Sequence, residues 1–314
     1  MALTSKARSL KRPALRFGIG EWYGQSFANL EPDQRAALAA FQLPPQRGKP
    51  APVCPFQPGD VACNKVGGVC SIRLFELLPS GDAKAVEGKR GRLRAVCPNR
   101  FEEDGLIQRW VGEHLLGADA PIVVPEVGFL ERVVPEAENS APVEATKDDV
   151  GRIDKVLVAP HSKPLAWCAL EVQAVYFSGD AMSREWVHIK DHKGAGIPSP
   201  VGRRRPDYRS SGPKRLMPQL QIKVPSLRRW GKKMAVVVDI DFWEALGPMV
   251  QVGHISNCDI AWFIVRYDET PDGTRLALEK VYLTTLESSV EGLTAGLPVS
   301  LEVFEQRILQ KLGA

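Results

Sequence analysis

Apolar residues along this chain fall into two kinds of pattern. Helical spacing marks two segments. EEDGLIQRWVGEHLL (102–116) opens with acids, sets Leu106, Trp110 and His114 four apart and stops before Gly117, which predicts an amphipathic helix with a glycine stop. Near the other end Ser300 is a candidate N-cap, with Leu301, Phe304, Ile308 and Leu312 on one helical face. Extended runs predict strands over 121–130, over 150–160 through Ile153, Val156 and Val158, and over 165–177, 234–243, 259–269 and 275–286. Residues 131–149 hold six acids, two bases and several Pro, Ser and Ala, the composition of a surface loop. Strands and helices mix without strict alternation and no repeat is visible, so the expected class is α+β or a mixed-sheet α/β fold.

Composition narrows the function classes. With 314 residues, 44% of them hydrophobic, the chain can fill a core. The longest apolar runs, such as Leu165 to Leu170, reach six residues, against ~20 for a bilayer crossing, so no membrane role is expected. The start, MALTSKARSLKRPALRF, lacks the apolar core of a secretory signal. That places the cysteines in a reducing compartment, taken as the cytoplasm. Net charge is +4, but it is unevenly spread: residues 1–16 and 201–233 together carry sixteen Lys or Arg against one acid, Asp207. The other 265 residues hold 25 basic and 36 acidic side chains. A basic stripe on an acidic body is the footprint of a polyanion binder, although a solvated loop has the same composition.

Four of the six cysteines, Cys54, Cys63, Cys70 and Cys97, fall within 44 residues. In a reducing compartment such a cluster suits metal binding, and four thiolates match the tetrahedral shell of zinc or iron. Intervening stretches of eight, six and 26 residues give no Cys-x-x-Cys pair, so four unlinked buried thiols stay open as the alternative. Turns favour the metal: Cys54 and Cys97 precede Pro, and Cys70 follows a glycine pair. Cys168 and Cys258, inside apolar segments, read as core thiols.

Catalytic candidates lie on two of the expected strands. Asp154 is on the first, and Glu171 and Gln173 share a face of the second by alternation. If these strands pair as a hairpin, with sixteen residues between Asp154 and Glu171, the carboxylates approach and form an oxygen site for magnesium. Phosphodiester hydrolysis suits such a site, with Gln173 orienting the attacking water. A surface-facing strand is the plainer alternative. Asp239 and Asp241 form a competing pair on the 234–243 strand, and His188 and His192, four apart, a weaker one.

The ordered series CPF (54–56), ACNK (62–65), GGVC (67–70) and VCPNR (96–100), an isolated Asp, LEVQ (170–173) and YFSG (176–179) resembles the restriction endonuclease NotI family, as does FGIGEWYGQSF (17–27). The resemblance implies a type II restriction enzyme with a restriction-endonuclease-like PD-(D/E)xK core, a central mixed sheet flanked by helices, acting on double-stranded DNA as a homodimer with magnesium. It implies Asp154 and Glu171 as magnesium ligands, Gln173 in place of the usual lysine, and an upstream glutamate, Glu126 or alternatively Glu131. It also implies structural iron, or zinc, at Cys54, Cys63, Cys70 and Cys97. The expected organisation is a basic tail (1–16), a four-cysteine region (17–110) and a nuclease core (111–314). Within that core the basic segment 201–233 offers Arg203, Arg204, Arg205, Arg209, Lys214, Arg215, Arg228 and Arg229 to DNA. The alternative function is a metal-stabilised, sequence-specific DNA-binding protein that does not cut.

Overall fold

Residues 13–45, 50–131, 149–271, 273–294, 296 and 299–313 are described by the computed structural model. The chain divides into two units interleaved in sequence: 1–106, 174–207 and 266–277 form the first, and 107–173, 208–265 and 278–314 the second. The first unit opens with β1 (Leu15–Trp22), β2 (Gln25–Ser26), α1 (Pro32–Phe41), β3 (Val69–Leu77), β4 (Asp82–Ala85), α2 (Gly88–Gly91) and β5 (Arg94–Ala95). The second continues with α3 (Leu106–Leu116), β6 (Ile122–Glu131), β7 (Asp149–Val158) and β8 (Trp167–Val172). The chain returns to the first for β9 (Tyr176–Gly179), α4 (Glu185–Asp191), β10 (Ile197–Pro198) and β11 (Arg204–Asp207). Then follow α5 (Tyr208–Ser211), α6 (Met217–Arg229), β12 (Met234–Asp239), α7 (Ile240–Glu244) and β13 (Ile260–Thr270), before β14 (Gly273–Thr284), α8 (Leu286–Thr294) and α9 (Leu301–Leu312). The architecture is mixed α+β, as expected. Residues 1–12 of the basic tail and 132–148 of the acidic stretch lie outside the described residues, while Arg16 belongs to β1. Among the described residues no helix is long and apolar enough to cross a membrane.

A six-stranded mixed sheet, in the order β14-β13-β12-β8-β7-β6, organises the second unit. Its centre is β12, parallel to both β8 and β13. MAVVVD is buried at every position, as a strand covered on both faces requires, and this explains an apolar run without alternation. β6, β7 and β8 continue the sheet antiparallel. Leu220, Val224 and Leu227 of α6 are fully buried with Phe242, Trp262 and Phe263.

Two expected elements end earlier than their sequence pattern suggests. The strand over 234–243 stops at Asp239, whose carboxylate accepts the backbone N–H of Phe242 at 2.8 Å and caps α7. An N-terminal cap satisfies a donor that the strand could not use, so local hydrogen bonding overrides the apolar run. The strand over 165–177 splits into β8 and β9, which belong to different units. The helix over 102–116 starts at Leu106, after a 3-10 stretch over Pro98–Gly105, and stops at Gly117 with φ 64°. In α9, Ser300 caps as expected by accepting the N–H of Val303, but no residue of the helix is buried.

The first unit carries the sheet β10-β4-β3-β1-β2, with β5 on β3. In the 3-10 stretch that follows β5, Arg100 is fully buried: its Nε donates to both carboxylate oxygens of Glu21 on β1 at 2.9 Å, and Nη1 donates to Glu103 at 2.6 Å. Thr274 donates to Glu21 as well, and the guanidinium lies 4.6 Å from the Phe56 ring centre and 4.5 Å from that of Tyr267. A planar cation with five donors suits both demands, carboxylates in its plane and rings on its faces. Replacing Arg100 with Met strands Glu21 without its counter-ion. It should cost about 3–5 kcal/mol in urea denaturation, and a loss under about 1 kcal/mol would show that the pair is not held by its charge.

Candidate active site

Strand register sets the geometry of the acids. Across β7 and β8, Val156 faces Ala169 and Lys155 faces Leu170. One step further, Asp154 stands opposite Glu171, as the hairpin expectation required. Across β6 and β7, Pro125 faces Lys155 and Val127 faces Ile153, so Glu126 stands opposite Asp154. Glu131 instead pairs with Asp149, toward the other end of the ladder. The three acids therefore fall at neighbouring backbone positions on adjacent strands, but among the described residues they do not gather into a group of three that could hold a metal. Glu126 departs from ideal strand geometry with φ 49°, a region that non-glycine residues seldom enter. Its side chain is exposed, and a carboxylate oxygen lies 3.4 Å from Arg152 Nη1.

Burial differs sharply between the two central acids. The Asp154 side chain is 60% exposed and that of Glu171 only 3%, so the pair joins the sheet interior to solvent. Gln173, just past the end of β8 at Val172, is buried too. Loss of solvation pushes the Glu171 carboxyl up to about 7; the Lys223 ammonium opposes this and the Asp154 charge adds to it. A buried carboxylate of this kind gains from a further positive charge, and the oxygen donors suit a hard cation such as magnesium.

Lys223, unmarked by any sequence motif, joins the two acids. From α6 its ammonium reaches Glu171 Oε2 at 2.7 Å, Gln219 Oε1 at 2.7 Å and Asp154 Oδ1 at 3.4 Å. A signal was present: Lys223 falls at helical spacing among the buried residues Leu216, Leu220, Val224 and Leu227, a lysine on an apolar stripe. A buried ammonium needs partners, and the carboxylates on β7 and β8 are those partners.

The competing pairs serve other ends. Asp239 caps α7, and because the strand ends there Asp239 and Asp241 do not share a strand face. His192 is held by Asp82, Nε2 to Oδ1 at 2.9 Å.

Four cysteines are gathered in the first unit. Cys54 and Cys63 flank a short bridge between Val53 and Ala62, closed by Cys54 N–H to Val61 and Cys63 N–H to Pro52. Cys70 follows Gly67 and Gly68, with φ of 79° and 67°; a Cβ on Gly68 would stand 2.2 Å from the Tyr23 ring, so only glycine fits. Backbone N–H groups of Val96 and Cys97 both donate to the Cys70 carbonyl. Burial pushes the thiols of Cys63, Cys70 and Cys97 up, and neighbouring cysteines push further: Cys54 on Cys63, Cys63 and Cys97 on Cys70, Cys63 and Cys54 on Cys97. The Gly24 N–H donates to Cys70 Sγ at 3.3 Å. Buried sulfurs close enough to raise one another's thiols are a donor set that suits a thiophilic metal, even with Lys65 drawing Cys63 and Cys97 the other way. Among the described residues, however, no three His, Cys, Asp or Glu side chains already form a metal shell. Cys168 and Cys258 are buried as expected, and desolvation pushes the Cys168 thiol up to about 12.

Within the basic segment the arginines divide by environment. Arg204 is buried, with Nη1 2.7 Å from Glu185, and Arg228 binds Asp259 and Glu287. Arg203, Arg205, Arg209, Lys214, Arg215 and Arg229 are exposed. Arg203 and Arg205, with Arg16, line a groove of about 660 Å³ in the first unit. Gly179 lets the two chain segments of its wall meet, since a Cβ there would lie 2.1 Å from the Arg203 carbonyl oxygen.

The family profile for restriction endonuclease NotI matches residues 39–278. The chain belongs to the NotI family. Members are restriction endonucleases, a class that binds double-stranded DNA and typically uses magnesium. The NotI match spans the four cysteines, the opposed carboxylates and Lys223 alike. No curated protein matches the chain.

The raised Glu171 carboxyl has a consequence for stability. With its ordinary value of 4.5 moved to about 7, the native state keeps a proton that the unfolded chain releases. Stabilisation from this group is complete below 4.5 and lost as pH rises through about 7. In urea denaturation with EDTA at pH 4.5 and pH 8, wild type should lose more stability across the interval than Glu171→Gln; equal losses would show that the carboxyl is not raised.

Proposed function

We propose that this protein is a type II restriction endonuclease that hydrolyses phosphodiester bonds of double-stranded DNA at a specific sequence, with magnesium at Asp154 and Glu171. The observation that carries the reading is the opposition of these two carboxylates in register on β7 and β8, one buried and one open to solvent. Held there, magnesium would supply positive charge at the phosphate and Lewis acidity toward water. The Gln173 amide oxygen accepts a hydrogen bond from the attacking water and orients it. That water adds its oxygen to phosphorus while the bond from phosphorus to the leaving sugar oxygen breaks. The electron pair departs on the sugar oxygen, which takes up a proton, and the proton shed by the water passes to solvent. Glu126, opposite Asp154, is the upstream acidic ligand in this reading.

One such centre cuts one strand, so cleavage of both strands calls for two, and we assign the active species as a homodimer. The exposed Arg203, Arg205, Arg209, Lys214, Arg215 and Arg229 are the candidates for phosphate and base-edge contacts. We assign the four cysteines to a structural metal, iron or zinc, that clips the turns carrying them.

Asp154→Ala and Glu171→Ala should each abolish cleavage of a long DNA of known sequence in magnesium, while specific binding in calcium persists. Retained cleavage would move the centre elsewhere, and a wild-type protein that shifts DNA without cutting it would favour the non-cutting DNA binder. For the cysteines, metal analysis of the purified protein should find about one iron or zinc per chain, lost in Cys63→Ser together with a large drop in melting temperature. Full stability in a metal-free preparation would assign them as unlinked thiols.

A further inference from the structure

The Lys223 ammonium has three N–H donors and three oxygens around it, on Glu171, Gln219 and Asp154. Every donor is engaged and the residue is buried, so the charge is fixed in place rather than sampling solvent as most lysines do. Gln219 lies one helical turn before Lys223 on the same helix, which braces the ammonium from behind while it faces the carboxylates. The positive charge stands against both acids.

We propose that Lys223 is a positioning residue of the nuclease site: its ammonium fills one cation position beside Asp154 and Glu171, so that the pair takes a single divalent cation and presents it in one orientation. This rests on the nuclease reading of the two acids. A second consequence concerns affinity. An ammonium at hydrogen-bond distance from a carboxylate repels a dication approaching the same oxygens, so Lys223 weakens metal binding even as it orders the site. A lysine that served the fold alone would act the other way, since its removal would loosen the carboxylates and weaken the metal with them.

The test measures manganese binding without DNA, by the electron paramagnetic resonance of free Mn²⁺, beside cleavage of a long DNA of known sequence. Wild type should bind one Mn²⁺ per chain at a site lost in Glu171→Ala. Lys223→Met and Lys223→Gln should bind Mn²⁺ about tenfold more tightly or gain a second equivalent, yet cleave about a hundredfold more slowly. Lys223→Arg, which keeps the charge, should keep the wild-type stoichiometry. Circular dichroism identifies any variant that fails to fold; if Lys223→Met does, Lys223→Gln and Lys223→Arg decide. Weaker Mn²⁺ binding in the folded neutral variants, or undiminished cleavage by them, overturns the role of Lys223 and leaves the nuclease reading standing. A wild type that neither cleaves nor binds Mn²⁺ at Glu171 overturns both.

Discussion

A carboxylate held inside a β-sheet is the constraint on which the second unit turns. Glu171 lies on β8 between the antiparallel β7 and the parallel β12, with Leu170 and Ala169 of its own strand buried beside it. Such a group must stay protonated or find a cation. The protein supplies one from α6, and the Asp154 carboxylate, more exposed on the neighbouring strand, leaves the pair room for another. The sheet fixes the spacing of the acids through its register, and the helix fixes the charge opposite them through its apolar stripe. Neither element alone makes a site.

Buried ions recur in the first unit with a different use. Arg100 with Glu21 and Glu103, and Arg204 with Glu185, are pairs whose charges are matched and enclosed. At Glu171 burial outweighs the opposing ammonium, which does not bring the carboxyl back to its ordinary range. A buried carboxyl raised in this way is the kind of group that gains from a further cation.

Much of this was legible in the sequence where the signal is local. Hairpin spacing brought Asp154 opposite Glu171, and the apolar run at 234–238 marked a strand, although β8 ends before Gln173, so the shared strand face expected for Glu171 and Gln173 does not extend to it. Ser300 and Gly117 gave a helix start and a helix stop by their chemistry. What could not be read depends on contacts between distant segments. Lys223 lies 52 positions from Glu171, and only the packing of α6 joins them. Arg204 and Arg228 look in sequence like their neighbours in a basic run, but Glu185, Asp259 and Glu287 engage them. Asp239 reads as a strand residue until Phe242 N–H is seen to need an acceptor. The interleaving of two units is hidden for the same reason, because a single apolar stretch over 165–177 supplies β8 to one and β9 to the other.

The proposed site requires that the opposed acids on β7 and β8 hold the cation used in cleavage. Crystals grown with manganese and examined by anomalous diffraction test it most directly. A peak is expected at coordination distance from both Asp154 and Glu171, with Lys223 still bonded to the pair. A peak at other acids, with none beside Glu171, would contradict it.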